Sequence, residues 1–303
     1  FPDQQTFARY GRSQRLADWR RSNVNTFVAE TYHRIKAKKP WVHFGISPYG
    51  VWRNQRQDPA RGSNSRASVS SYDDLYGDAL HWANNGTVDY LLPQLYWSMN
   101  YAPASYKILA DWWAASTPTK VALYTGHAAY KVGTDTADPD AWNTFEELPT
   151  QVAYNRRLPA VRGSVYFSSK SILLNPSGLL QRMADVYPVP ALLPKRVAPK
   201  PITARKVKVY EPIHTEKGML LVWEVDKNLP KEDVPYYYAV YRSNASSPLT
   251  LLHKTPYGQG CHRLHFYDAS AGAAVKYDYR VVPLDRYHRS LSFSNLEAAD
   301  RKH

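Results

Sequence analysis

Apolar residues in the first part of the chain follow two alternating patterns. Between residues 19 and 38 most apolar positions lie three or four apart, which predicts a helix with one apolar stripe. The stripe consists of Val24, Phe27, Val28, Tyr32 and Ile35. Nearly continuous apolar runs at 41–47, 88–97, 121–125 and 164–168 predict strands, and helical segments are predicted at 74–83, 107–115, 145–155 and 176–186. Because continuous apolar strands are typical of parallel sheets buried on both faces, this region is predicted to be α/β.

The count of strand–helix units leaves two architectures open for residues 1–186. Four units follow a single helix whose own strand is absent from the chain. One interpretation is a small open α/β sheet. The other is the second half of a (β/α)8 TIM-type barrel, since a complete barrel typically needs about 250 residues.

The pattern changes after residue 186. Residues 187–201 contain five prolines, which predicts an extended linker because proline lacks an amide donor and has a fixed φ. Short alternating runs at 219–223, 236–242, 249–253, 265–267 and 277–283 then follow, separated by turn residues. This spacing predicts an all-β sandwich over residues 202–303.

Composition and charge narrow the classes of partner. The chain has 39 basic and 26 acidic residues, a net charge of +13, which is typical of proteins that meet polyanions. The basic residues are scattered in short groups over both regions, so no nucleic-acid partner is predicted. Asp89, Pro93 and Gln94 interrupt the longest apolar run, and none approaches the roughly 20 residues of a membrane span. The single cysteine, Cys261, excludes an internal disulfide but not export.

Several phrases of the first region carry a family resemblance. They are WRRSNVN (19–25), FGISPYGVWRN (44–54), YDDLYGD (72–78), VDYLLPQLYW (88–97) and GSVYFS (163–168). In order and spacing, residues 1–186 resemble the bacterial glycosyl-hydrolase-like family 10 barrel. The tail resembles a fibronectin type III module through LVW (221–223), YAVYR (238–242) and YDYRV (277–281).

The resemblance implies a fold, a substrate and a location. Members of the family begin with four further strand–helix units, so the chain is expected to hold the C-terminal half of the barrel, with the N-terminal strands absent. An acidic Asp-Asp-Tyr motif ends the fourth of those strands, which implies a principal catalytic acid upstream of Phe1. The family includes an enzyme that acts on peptide-free peptidoglycan strands. The resemblance therefore implies an exported bacterial envelope protein of the periplasm or outer membrane, and a lipid anchor on a missing N-terminus is one option.

The residues themselves offer few catalytic acids. Glycoside hydrolysis needs two carboxyl groups, and barrel chemistry takes place at the carboxyl ends of strands, where the predicted strands of this chain place none. Asp73 and Asp3 are the acidic candidates, although Asp73 and Asp74 are also expected to cap the helix that they precede. Asp89 is expected to be structural, since it lies before its strand, at the opposite face. Glu146 and Glu147 are expected to be solvated beside a helix start.

The predicted strand ends are better suited to binding sugars. Flat rings stack on pyranose C–H faces, and amide, guanidinium and ammonium groups bind hydroxyl, N-acetyl and carboxylate groups; core packing is the alternative for each aromatic residue. The candidate substrate-binding residues are Trp52, Arg53, Gln94, Tyr96, Trp97, Tyr124, Ser168 and Lys170.

No cofactor or metal is predicted. The histidines lack zinc-binding spacing, and His262 and His265, which follow Cys261, would point to opposite faces of a strand. Two functions remain. The first is a glycoside hydrolase of N-acetyl-sugar-rich glycan. The alternative is a non-catalytic glycan- or protein-binding scaffold of an envelope complex, with the sandwich as a surface for protein partners.

Overall fold

The structure is a computed structural model that describes residues 2–174, 178–193, 207–224, 234–257, 262–272 and 274–289. The chain divides into two compact units, Phe1–Val186 and Tyr187–His303. Several predictions made above fall partly outside the described residues: they concern Phe1, residues 176–177 of the last predicted helix, the linker segment 194–201, Cys261 and parts of the predicted sandwich, including 202–206 and 290–303.

The first unit is built on a four-stranded parallel sheet. Its strands are β1 (Gly45–Ile46), β2 (Tyr90–Leu91), β3 (Ala122–His127) and β4 (Val161–Tyr166), hydrogen-bonded in chain order. The helices are α1 (Gln4–Tyr10), α2 (Leu16–Lys38), α3 (Ala79–Asn84), α4 (Tyr106–Ser116), α5 (Pro139–Trp142), α6 (Glu147–Asn155), α7 (Ser169–Leu173) and α8 (Leu179–Val186). A 3-10 turn spans Ala129–Lys131. The predicted parallel α/β arrangement is confirmed.

Strands β1 and β2 are shorter than the apolar runs 41–47 and 88–97 predict. The run 88–97 forms regular pairing only at Tyr90–Leu91, since Pro93 has no amide hydrogen to donate. Beyond the proline, Gln94 is joined by isolated parallel bridges to Tyr49 and Gly126. The chain therefore continues the sheet direction past β2, so Gln94 still marks the carboxyl end of that strand.

Helix α3 begins later than predicted. Its first residue is Ala79, and the Asp78 carboxylate accepts the backbone N–H of His81 at 3.2 Å as its N-cap. The prediction that Asp73 and Asp74 cap this helix is therefore wrong. The carboxylate of Asp74 accepts the backbone N–H of Ser70 at 2.7 Å and stabilises the turn before the helix.

One face of the sheet holds the core of the first unit. Leu91 and Leu123 are paired in register and fully buried, and they belong to the same apolar cluster as Leu109 and Trp113 of α4. On the opposite face Val165 of β4 is 44% exposed. The expectation of a sheet buried on both faces is therefore not met at this residue.

The second unit consists of antiparallel strands. They are β5 (Lys208–Val209), β6 (Ile213–Thr215), β7 (Gly218–Glu224), β8 (Tyr237–Asn244), β9 (Ser247–Pro256), β10 (Arg263–Asp268) and β11 (Asp278–Leu284). One sheet runs β10-β7-β5 with β6 also paired to β7, and the other runs β11-β8-β9. A core of Leu221, Trp223, Tyr238, Val240 and Val281 draws on both sheets. The all-β prediction agrees with these sheets, while the fibronectin type III identity stays a prediction.

Among the described residues, no helix has the length and apolar character needed to cross a lipid bilayer. Helix α2, the longest, carries charged residues such as Arg21, Glu30 and Lys36 along its length.

Candidate functional site

The connections that follow β2, β3 and β4 meet at one edge of the sheet. In a parallel sheet all strands end on the same side, and the connections after the strands form the ligand-binding edge of α/β proteins. The connection after β3 spans residues 128–146 and contains a 3-10 turn and the short helix α5. Loops of this length in compact proteins are commonly functional.

A cavity of about 680 Å³ lies between two of these connections. Residues 98–103, after β2, line one side, and residues 137–150, after β3, line the other. We call it the acidic cleft, because Asp138 and Glu147 line it. Its volume is in the range of small-molecule and sugar sites. Tyr101 adds a half-buried ring to the polar lining.

Glu147, the first residue of α6, is held by one of its two carboxyl oxygens. Oε1 accepts the backbone N–H of Met99 at 2.7 Å and Nε2 of Gln151 at 2.8 Å. Oε2 has no hydrogen-bond partner among the described residues. Burial raises the pKa of Glu147, the neighbouring Asp138 raises it further, and the two hydrogen bonds oppose this rise. The expectation that Glu147 is solvated is therefore wrong, whereas Glu146 is exposed and pairs with Arg182 at 2.8 Å.

A buried chain of hydrogen bonds supports Glu147 from behind. Gln151 is fully buried; its Nε2 also donates to the Trp97 carbonyl at 3.1 Å, so its Oε1 must accept from His127 Nδ1 at 2.7 Å. A neutral His127 then has Nε2 as an acceptor, which the Thr125 hydroxyl reaches at 3.1 Å. Burial lowers the pKa of His127 to about 4, so the ring is neutral and this tautomer is fixed by its neighbours.

Asp138 lines the same side of the acidic cleft as Glu147 and is anchored by its own hydrogen bonds. Its Oδ2 accepts the hydroxyl of Ser98. Its backbone N–H donates to Asp135 Oδ1 at 3.3 Å, which fixes the turn before α5. Oδ1 of Asp138 has no partner within the described part of the chain. Asp138 and Glu147, two of the four acidic residues that line the acidic cleft, thus each have one anchored oxygen and one without a partner among the described residues.

Three aromatic rings form a surface at the same edge of the sheet. Tyr96 follows β2, Tyr130 follows β3 and Phe167 follows β4. Phe167 lies roughly parallel to Tyr96, with ring centroids 6.2 Å apart, and Tyr130 meets both edge-on. Phe167 is 59% exposed and Tyr130 is 43% exposed. We call these three residues the aromatic surface.

Among the predicted sugar-binding residues, Trp52 is placed in the core. It is 1% exposed, its ring stacks on Trp112 at 5.9 Å, and its Nε1 donates to Asp78 at 3.2 Å. Trp52 therefore cannot stack on a sugar, and its prediction as a binding residue is wrong. The cause is the chain after β1, which folds back over this residue.

Arg53 and Gln94 are used in structural contacts. Arg53 Nε donates to Asp73 at 2.8 Å, and its Nη1 lies 3.3 Å from Asp58. The side chain of Gln94 donates to the Ser47 carbonyl at 3.1 Å. Both side chains are half-buried, and sugar contacts by them stay a prediction.

The remaining predicted binding residues are distributed around the edge. Trp97 is half-buried and packs edge-on against Tyr49 at 5.6 Å, and half-buried Tyr124 packs against Tyr90 at the same distance. Ser168 directly precedes α7, in which Lys170 is exposed. Tyr96 alone of the predicted set belongs to the aromatic surface.

The two acidic candidates from the sequence are engaged in ion pairs. Both oxygens of Asp3 accept from Arg20, at 2.7 and 2.9 Å, and these hydrogen bonds lower the pKa of Asp3. A lowered pKa favours the ionised form, which is the wrong form for a proton donor. Asp73 pairs with Arg53 as described above, so both acidic candidates are held in ion pairs, and a catalytic role for them stays a prediction.

Sequence reasoning did not select Asp138, Glu147, Tyr130 or Phe167. The length of the connection after β3 was the available signal for the first three, and Phe167 lies directly beside the selected Ser168. No cluster of three or more histidine, cysteine or acidic side chains suited to a metal ion is found in the part of the chain that the structure describes.

Comparison with known proteins gives consistent matches. Residues 1–144 match the sequence model of a family described as glycosyl hydrolase-like 10. The chain is 40% identical over 295 residues to a protein named glycosyl hydrolase YngK from Bacillus subtilis strain 168, which covers 95% of this chain and 56% of that protein. It is 40% identical over 170 residues to glycosyl hydrolase DigH from Escherichia coli K12, covering 54% of this chain and 38% of that one. The chain thus spans about half the length of the first relative and less of the second.

Proposed function

Since the chain belongs to the glycosyl hydrolase-like 10 family, which it matches through residues 1–144, we propose that it takes part in hydrolysing a glycan rich in N-acetyl sugars. Peptide-free peptidoglycan strands are the proposed substrate. The names of the relatives support a glycan-directed hydrolase, and the sugar class follows from the family resemblance described above.

The aromatic surface is the observation that carries this proposal. Three rings from the ends of three consecutive strands stand together, and two of them are largely exposed. Adjacent exposed rings form a contiguous apolar patch, which is typical of binding sites, and their faces suit the C–H faces of pyranose rings. The acidic cleft is built from the same two connections that carry Tyr96 and Tyr130, which supports a sugar chain as the shared ligand.

The proposed reaction is general acid catalysis by carboxyl groups. One carboxylic acid protonates the glycosidic oxygen, and a second carboxylate activates water or attacks the anomeric carbon. The family resemblance implies an acidic motif upstream of Phe1 as one source of these groups. We also propose an envelope location, in the periplasm or at the outer membrane, because the substrate is found there. The second unit is proposed to be a surface that binds envelope proteins.

The direct test is hydrolysis of purified peptide-free glycan strands by the protein isolated from its source. We expect soluble saccharide products that increase with time and enzyme concentration, measured by chromatography with mass detection. Binding of the strands without any cleavage would instead support the non-catalytic scaffold, and neither binding nor cleavage would reject a glycan ligand.

Removing the exposed rings is expected to weaken glycan binding. Phe167→Ala and Tyr130→Ala should each raise the dissociation constant for peptide-free strands by roughly 2- to 10-fold, because ring stacking contributes on the order of 1 kcal/mol. Sedimentation of protein with insoluble strands measures this. Tyr10→Ala is the matched control, since Tyr10 is a 56% exposed ring on α1 and lies outside the aromatic surface. Equal binding by all three variants would contradict the role of this surface.

A further inference from the structure

We infer that Glu147 donates a proton in the proposed glycan hydrolysis, from the carboxyl oxygen that has no hydrogen-bond partner among the described residues. The inference rests on the proposed function and specifies a residue for it. Glu147 lines a cavity large enough for a sugar unit, at the carboxyl edge of the sheet where α/β enzymes carry out their chemistry.

The hydrogen bonds of Glu147 determine where its proton lies. Oε1 accepts from Met99 N–H and from Gln151 Nε2, so its lone pairs are occupied by donors. In the neutral acid the proton must therefore be on Oε2, the oxygen that has no partner among the described residues. A general acid needs this arrangement, with one oxygen fixed by the protein and an O–H directed to the ligand.

Gln151 and His127 are positioning residues for this carboxyl group. If Gln151 were rotated by 180° about its amide, its carbonyl would face Glu147 Oε1 and the Trp97 carbonyl, which are both acceptors. His127 Nδ1–H prevents that rotation by donating to Gln151 Oε1 at 2.7 Å. The Thr125 hydroxyl and Asn155 Nδ2 continue the chain, at 3.1 and 2.8 Å, and fix the ring in turn.

The surroundings of Glu147 favour its protonated form. Burial raises its pKa, and the neighbouring Asp138 adds a like charge that disfavours ionisation. No cationic side chain forms an ion pair with Glu147 in the part of the chain that the structure describes, in contrast to Asp3, Asp58 and Asp73. Among the acidic residues described here, Glu147 alone combines a cleft position with a raised pKa.

The proposed step conserves atoms and charge. The O–H bond of Glu147 breaks and its proton passes to the glycosidic oxygen as the bond from that oxygen to the anomeric carbon breaks. A water molecule adds its oxygen to the anomeric carbon and gives one proton to a second carboxylate. One water is consumed, and proton exchange with solvent restores both carboxyl groups.

The test is Glu147→Gln in the protein isolated with its natural termini. Glutamine has the same shape and can accept from Met99 N–H and Gln151, but it has no acid proton. We expect the turnover of peptide-free glycan strands to fall by roughly 10²- to 10⁴-fold, the contribution typical of general acid catalysis, with the dissociation constant for the strands changed less than about 2-fold. Glu30→Gln, an exposed glutamate on α2, is the matched control and should keep full activity.

A pH profile separates proton donation from a structural role. The unsubstituted protein should lose activity as pH rises through the pKa of Glu147, and the residual activity of Glu147→Gln should lack this alkaline decline. Glu147→Asp should regain part of the lost turnover, since it restores an acid proton at a shorter reach. An unchanged profile, or a loss of binding that equals the loss of turnover, would overturn the inference.

The remaining outcomes distinguish the inference from the proposed function. Full cleavage by Glu147→Gln would overturn the role of Glu147 and leave the hydrolase function standing. Absence of cleavage by the unsubstituted protein would overturn the hydrolase function and the inference together.

Discussion

Replacing Trp113 by alanine is expected to lower the free energy of unfolding of the first unit by about 3–5 kcal/mol. Trp113 of α4 is fully buried and packs edge-on against Trp112 at 4.9 Å. Its Nε1 donates to the Gly50 carbonyl at 2.7 Å, so the substitution both leaves a large void and removes the partner of a buried carbonyl. The expected loss is a large fraction of the 5–15 kcal/mol typical of native domains.

Urea unfolding followed by far-ultraviolet circular dichroism measures this loss. Phe27→Ala is the matched control, because Phe27 is an aromatic residue in a helix of the same unit but is 70% exposed. We expect the control to stay within about 0.5 kcal/mol of the unsubstituted protein, as is usual for surface positions. A loss below about 1 kcal/mol for Trp113→Ala would contradict the packing of α4 against the sheet.

The fold was predictable where local signals and tertiary packing agree. Helix α4 was predicted at 107–115 and spans Tyr106–Ser116, because Ser105 provides an N-cap and Leu109 and Trp113 repeat at helical spacing. The run 88–97 was predicted as one long strand, but Pro93 interrupts its pairing. Apolar character alone does not reveal which of these positions find a hydrogen-bonding neighbour.

The site was less predictable because its contacts join distant segments. Met99 N–H donates to the Glu147 carboxylate although the two residues are 48 positions apart in the sequence. A periodic pattern of apolar residues does not predict contacts between such distant segments. Trp52 was selected because it follows a strand, but burial by the later segment that carries Trp112 decides its role. Tyr96 was selected correctly for its position at the edge, although its partners Tyr130 and Phe167 were not.

The stability of the first unit is expected to fall by about 3 kcal/mol between pH 6.5 and pH 4 through His127 alone. Burial lowers the pKa of the folded-state ring to about 4, whereas the unfolded chain takes up a proton near 6.5. Between these values the unfolded state binds more protons, so stability is complete above pH 6.5 and is lost as pH falls. A difference of about 2.5 pKa units corresponds to this free energy.

The contribution of His127 is isolated by comparing slopes. Asp58 and Asp135 also have lowered pKa values and also destabilise the protein as pH falls. Their contribution is the same in the unsubstituted protein and in a variant of His127, so it cancels when the two slopes are compared. In His127→Asn the side-chain amide can replace Nδ1–H as the donor to Gln151 without titrating. We therefore expect its free energy of unfolding to depend less steeply on pH below 6.5, by about 3 kcal/mol over this interval. His33→Asn, at an exposed histidine of α2, should keep the original slope.

Equal pH slopes of the free energy of unfolding for His127→Asn and the unsubstituted protein would contradict the hydrogen bonds described for the His127 ring. They would mean that the folded ring carries a proton on both nitrogens, and the Thr125 hydroxyl could then no longer donate to Nε2. A neutral ring, in contrast, accepts the Thr125 hydroxyl at Nε2, while Nδ1–H donates to Gln151 in both protonation states. The pH dependence of stability therefore tests, without any substrate, whether the ring that supports Gln151 is neutral in the folded protein.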